Sequence, residues 1–163
     1  WLGFITDVPQ YKLDYLLTLR RRGYRIDILS NTNPFILGWA RSPRFSPDGH
    51  GLTHYVDHLY ASYELGCVKP SEEIFRKALQ QGELKPEETL FIDDSKKNVE
   101  QGDRMGLHTL WVENGGDFRP ELEAVLKVSG LEAEVNSWPA SRVRNRPIGG
   151  GCAPRVLMSC LCR

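Results

Sequence analysis

The chain has 163 residues, 40% of them hydrophobic, which is enough for one domain around one core. Its 21 basic and 21 acidic residues cancel, but the five Arg of 135–163 (142, 144, 146, 155 and 163) have no acid among them. The remaining body holds sixteen basic residues against 21 acidic ones, which argues against nucleic acid or a membrane surface as partner. No apolar run reaches membrane-spanning length and no charged-then-apolar leader opens the chain. Cys67 stands apart from Cys152, Cys160 and Cys162, so spacing suggests neither a disulfide framework nor a zinc site, and a cytoplasmic setting is expected.

In chain order, Tyr11, Tyr15, Leu16 and Leu19 give one face of an amphipathic helix. Arg20–Arg22 suit its C-terminal dipole, and Gly23 stops it. Arg25-Ile-Asp-Ile-Leu-Ser30 reads as a buried strand. A helix through Phe35, Ile36 and Trp39 follows, then a Pro/Gly/Ser loop over 42–51. A strand is expected at 58–62 and a helix with Ile74, Phe75, Ala78 and Leu79 on one face, ended by Gly82. After a turn at 86–88, Thr89-Leu-Phe-Ile-Asp-Asp94 is the clearest strand. A helix from Ser95 to about Met105 stops at Gly106, a strand spans 107–112, and a last helix carries Leu122, Val125 and Leu126. Strands alternating with helices predict βαβ units in a parallel, doubly wound sheet, with ligands at the carboxyl ends of its strands.

Polar residues stand where that rule directs attention. Asp93 and Asp94 close an apolar strand, a repulsive pair unless a cation or a shared proton relieves it. Mg2+, which takes hard oxygen ligands, suits them, although a single Asp there can equally be a helix cap. Ser30, Asn31 and Thr32 follow another strand and offer hydroxyl, amide and backbone donors to an anion, or simply a capping turn. Lys69, before Pro70, could neutralise phosphate charge, but a lone lysine is more often surface decoration.

The order of these segments is more specific than any one of them. Ser-Asn after a strand, then Lys69-Pro-Ser-Glu-Glu-Ile-Phe75, then Leu90-Phe-Ile-Asp-Asp-Ser-Lys-Lys-Asn-Val99 resembles the second, third and fourth motifs of the haloacid-dehalogenase (HAD) superfamily. The resemblance covers about residues 10–127 and is nearest the branch of haloacid dehalogenases, the phosphatase domain of soluble epoxide hydrolase and sugar-phosphate phosphatases. It implies a Rossmann-like fold and a Mg2+-dependent phosphomonoesterase that acts on a small phosphorylated metabolite through an aspartyl-phosphate. Ser30 would hydrogen-bond the phosphoryl group, with Asn31 and Thr32 beside it as substrate-binding groups. Lys69 would bridge nucleophile and phosphate, Asp94 would bind Mg2+ with Asp93 in its first or second shell, and Asn98 would brace the loop.

The family's first motif, an Asp-x-Asp strand that carries the nucleophile, does not occur before Ser30, where the acids are Asp7, Asp14 and Asp27. None of these three is placed to substitute. The chain also opens at Trp1 in mid-pattern, so an N-terminally shortened core over 1–134 is expected, without the first central strand and most of the helical cap. Two half-sheets with facing bare edges, marginal stability and no turnover follow from that reading. Residues 135–163 read as an irregular basic tail, disordered or out of frame. A non-catalytic binding module and a metal-free haloacid dehalogenase are the alternatives, the second disfavoured by the Asp93-Asp94 pair. A receiver domain is excluded, because its acid pair precedes its lysine. Substrate identity and oligomeric state are not legible.

Overall fold

The computed structural model describes residues 8–129, 131 and 154–159. Five parallel strands form one sheet in the order β2-β1-β5-β3-β4. They are β1 (Arg25–Ser30), β2 (His58–Ala61), β3 (Thr89–Asp93), β4 (His108–Trp111) and β5 (Arg155–Met158). The helices are α1 (Gln10–Arg21), α2 (Pro34–Ala40), α3 (Ser62–Leu65), α4 (Glu72–Gly82), α5 (Lys96–Arg104) and α6 (Arg119–Val128), with single 3-10 turns at Leu52–His54 and Pro86–Glu88. Each strand predicted from the body of the sequence is present within one or two residues of its expected span. Among the described residues no helix is long and apolar enough to cross a membrane.

The expectation of two half-sheets with bare facing edges is overturned. β5 lies between β1 and β3, with Val156 paired to Ile26 and Leu90, and Leu157 to Asp27 and Phe91. Three apolar residues suffice because both neighbours were short of a ladder partner, and a parallel strand can satisfy two edges at once. Period-2 alternation then serves two cores. Val156 and Met158 join Ile26, Ile28, Leu90 and Ile92 in a cluster that also buries Leu13, Leu16, Leu122 and Leu126 from α1 and α6. Leu157 joins Leu29 and Phe91 on the other face, against Ile74, Phe75, Ala78 and Leu79 of α4. The predicted irregular tail otherwise lies mostly outside the described residues.

Local departures have local causes. The inner face of α1 is Leu13, Leu16 and Leu19 with the stem of Lys12, whereas Tyr11 is exposed and Tyr15 only partly buried. In α2 the buried residues are Leu37 and Ala40, and Phe35 is 75% exposed. Gly82 does not end α4 by turning left-handed; Glu83 does, at φ 51°. Gly82 is needed for closeness, since a Cβ there would collide with the Tyr60 hydroxyl and Leu84. Gly106, at φ 80°, does make the predicted left-handed stop after α5.

The amino ends of the central strands are tied to α4. Arg25 and Arg155 are cross-strand partners, a like-charge pair, yet both donate to the Gly82 carbonyl at 3.0 Å. A helix C-terminus carries partial negative charge, which offsets their repulsion. Arg25 also holds the buried Asp27 at 2.9 Å.

Candidate active site

From the centre of the sheet the chain runs outward in both directions, from β1 to β2 on one side and from β3 to β4 on the other. In such sheets the crevice beyond the carboxyl ends of the central strands is the binding position. Ser30, Asp93 and Ser159 end or directly follow β1, β3 and β5 there.

Lys69 is the organising cation. Far from being surface decoration it is only 6% exposed, and its Nζ lies 3.0 Å from Asp93 Oδ2. It also donates to the Ser159 hydroxyl. Asn31 fixes the lysine's backbone from both sides: its Nδ2 donates to the Lys69 carbonyl at 3.0 Å, and its Oδ1 accepts the Lys69 amide at 2.8 Å. Asn31, expected as a substrate contact, has its side-chain amide turned to the Lys69 backbone. Both ends of its amide are engaged in carrying Lys69 to the sheet.

Thr32 is likewise drawn into the scaffold. Its amide donates to Ser62 Oγ at 3.0 Å, and that hydroxyl donates back to the Thr32 carbonyl at 3.1 Å. Nor does α2 present an open ring of amides. Asn33 Oδ1 accepts the Ile36 amide, and Pro34 has no N–H to give. Of the three residues after β1, Ser30 keeps the expected place at the strand end, half-buried beside Ala61.

Asp93 is buried at the end of β3. Burial alone pushes its carboxyl up, but the Lys69 charge, the Ser159 hydroxyl and the Ser95 amide together hold it below the usual carboxylate range. The Ser95 amide donates to the Asp93 carboxylate at 2.7 Å and Asn98 Nδ2 at 2.9 Å. Asp94 is the reverse case. Burial and then the adjacent Asp93 charge raise its pKa, which leaves it the group with most to gain from a cation. The Asp94 carbonyl accepts the Trp111 indole N–H at 2.9 Å, and this ties β4 to the loop.

The structure therefore brings Lys69, Asp93, Asp94 and Asn98 together, with Ser30 at the end of β1 on the far side of β5. Sequence reasoning missed Ser159. Its signal was a short apolar run ending in a hydroxyl, Val156-Leu-Met-Ser159, inside an Arg- and Gly-rich stretch.

A doubly wound parallel sheet binds ligands at the carboxyl ends of its strands, and the buried lysine–aspartate pair stands at that edge. The chain belongs to the haloacid dehalogenase-like hydrolase family, whose model matches residues 3–106. It is 48% identical over 126 residues to D-ribitol-5-phosphate phosphatase of Bacteroides thetaiotaomicron, a match that covers 77% of this chain and 61% of that enzyme. Among solved structures, a HAD-like hydrolase from Porphyromonas gingivalis superposes with a TM-score of 0.73 at 44% identity, covering 77% of this chain and 61% of that one. A HAD enzyme of Bacteroides thetaiotaomicron in complex with magnesium and inorganic phosphate gives a TM-score of 0.65 at 34% identity, with coverages of 71% and 58%. The chain thus spans about three-fifths of the length of these relatives.

Proposed function

We propose that this chain carries the phosphate- and metal-binding part of a Mg2+-dependent phosphomonoesterase for small phosphorylated metabolites, sugar phosphates among them. The observation that carries this reading is the buried Lys69–Asp93 pair beside Asp94, at the carboxyl edge of a parallel sheet. Similarity to a sugar-phosphate phosphatase supports the substrate class. The free thiol of Cys67 accords with a cytoplasmic setting.

The donor set fits the metal. Two adjacent carboxylates suit an ion that takes one or two protein oxygens and keeps several waters. Among the described residues no three His, Cys, Asp or Glu side chains gather to enclose an ion, so water and phosphate oxygens would complete the shell. Asp94 would hold Mg2+ directly and Asp93 beside it. When bound, Mg2+ supplies positive charge to the non-bridging oxygens of the transferring phosphoryl group.

The chain's own residues do the rest. Lys69, held by Asn31, presents a fixed ammonium to the phosphate, and its position needs no rearrangement as charge shifts. Ser30 offers a hydroxyl donor to a phosphate oxygen. Asn98 and the Ser95 amide keep the Asp93 carboxylate turned toward the lysine. In the family an aspartate from the first motif would attack phosphorus; no Asp-x-Asp precedes Ser30 in these 163 residues, and we expect no turnover from them by themselves.

Calorimetric titration of the full chain with Mg2+ tests the reading. We expect saturable binding that disappears in Asp94→Ala, and no steady-state release of nitrophenol from p-nitrophenyl phosphate. Mg2+ affinity equal in wild type and Asp94→Ala would refute the metal assignment. Continuous turnover lost in Asp94→Ala would refute the claim of inactivity.

A further inference from the structure

The hydroxyl of Ser159 is the one nucleophile-bearing group at the carboxyl edge of the sheet, among the described residues, that the reading above leaves without a task and that also touches Lys69. Ser159 directly follows the central strand and is 6% exposed. Its amide donates to the Ile92 carbonyl at 2.9 Å, which extends the β3 ladder by one step. Met158, one residue earlier, pairs with both Ile28 and Ile92. Ser159 therefore lies between the ends of β1 and β3, level with Leu29 and Asp93.

Its side chain is held by Lys69, whose Nζ donates to the hydroxyl oxygen, and the hydroxyl helps to lower the pKa of Asp93. The same ammonium contacts Asp93 at 3.0 Å, so oxygen, ammonium and carboxylate form one buried triangle. A side chain this constrained has little rotational freedom to lose when it reacts. Any phosphate that Lys69 attracts arrives next to this oxygen.

We propose that Ser159 is a phosphoryl acceptor, labelled once per chain by a phosphate monoester bound at the Lys69–Asp94 site; the inference rests on the phosphate-binding reading above. In the step, a bond forms between Ser159 Oγ and phosphorus while the bond from phosphorus to the ester oxygen breaks. The electron pair of the broken bond leaves with that oxygen, which also receives the serine proton, and the products are phosphoserine and a free alcohol. No oxidation or further reactant is involved. Lys69 faces the incoming negative charge throughout.

The product explains why labelling stops at one event. A phosphoserine is itself a phosphate monoester, so unlike an acyl phosphate it is no more reactive than the substrate that made it. Hydrolysis of the adduct is then as demanding as hydrolysis of the substrate. The chain becomes a phosphoprotein instead of turning over.

The test uses the full chain with Mg2+ and p-nitrophenyl phosphate. The expected result is a burst of one equivalent of nitrophenol per chain with no steady phase, one added phosphoryl group by intact mass, and its location on Ser159 by peptide mapping. Ser159→Ala should reduce the burst to nothing. Mapping of the wild-type label stands on its own should that variant fail to fold. A label on another residue, or an undiminished burst in Ser159→Ala, overturns the proposal. Wild-type chain that binds Mg2+ and inorganic phosphate by calorimetry yet shows no burst overturns it while the metal and phosphate reading stands. Absence of both binding and burst overturns the two together.

Discussion

The two ends of the same sheet each bury an aspartate against a cation, and they treat it in opposite ways. At the amino end Asp27 meets Arg25 and the Tyr60 hydroxyl, yet burial prevails and its pKa is raised. At the carboxyl end Asp93 is as deeply buried, yet Lys69, Ser159 and Ser95 outweigh burial and its pKa is lowered. The difference lies in the number and direction of donors. Asp27 sits inside β1 with only side chains to help it, and Arg25 divides its guanidinium between Asp27 and the Gly82 carbonyl. Asp93 sits where a strand ends, so a backbone amide and the next helix can reach it as well. In this sheet the carboxylate at the carboxyl edge is thus favoured in its charged form, whereas the one inside β1 is not.

The largest break in this comparison should come from Lys69→Met. It leaves Asp93 buried without its ammonium, which costs about 3–5 kcal/mol by urea denaturation. Arg25→Met at the other end should cost less, about 1–3 kcal/mol, because burial already outweighs the hold of Arg25 on Asp27 and Arg155 still reaches Gly82. Equal losses would show that the two pairs do not differ as described.

Next in size is Leu157→Ala. Leu157 is fully buried in the strand that links the two ends, and its loss should cost about 2–5 kcal/mol while weakening both. A change within about 0.5 kcal/mol, the size of an ordinary surface substitution, would mean that β5 is not seated in the sheet.

The smallest effects are slopes. Asp93, with its pKa lowered on folding, contributes stability above the ordinary carboxylate range, and that is lost as pH falls through its folded value. Asp27, with its pKa raised, contributes below the ordinary range, and that is lost as pH rises through its folded value. Urea midpoints in chelator-containing buffer should therefore diverge across the acid range. Asp93→Asn flattens the rise of stability with pH and Asp27→Asn steepens it, each by at most about 1.4 kcal/mol per pH unit. Slopes that move the same way in both variants would contradict the assigned directions.

Much of the body was legible because local pattern and tertiary role agree there. β3 is apolar throughout and ends in two acids, and α4 shows its buried face plainly at helical spacing. Lys69, Asp93, Asp94 and Asn98 could be picked out by their order, although nothing local marks Lys69 as buried. At Asn31 and Thr32 the sequence shows donors after a strand, which look alike whether they face a ligand or a neighbouring loop. β5 was not legible. Four residues in an Arg- and Gly-rich stretch have no period to detect, and what makes them a strand is the pair of open ladders on β1 and β3. Ser159 was hidden with it.

The place of β5 also orders assembly in time. β1 and β2 lie close in sequence, as do β3 and β4, so each pair can zip from nearby segments. The strand that joins the pairs reaches β1 only by closing a loop of more than a hundred residues, and such closures slow folding. Until it arrives, each pair exposes an apolar inner edge to any other chain nearby. Refolding yield should therefore fall with protein concentration, even where the finished fold is stable.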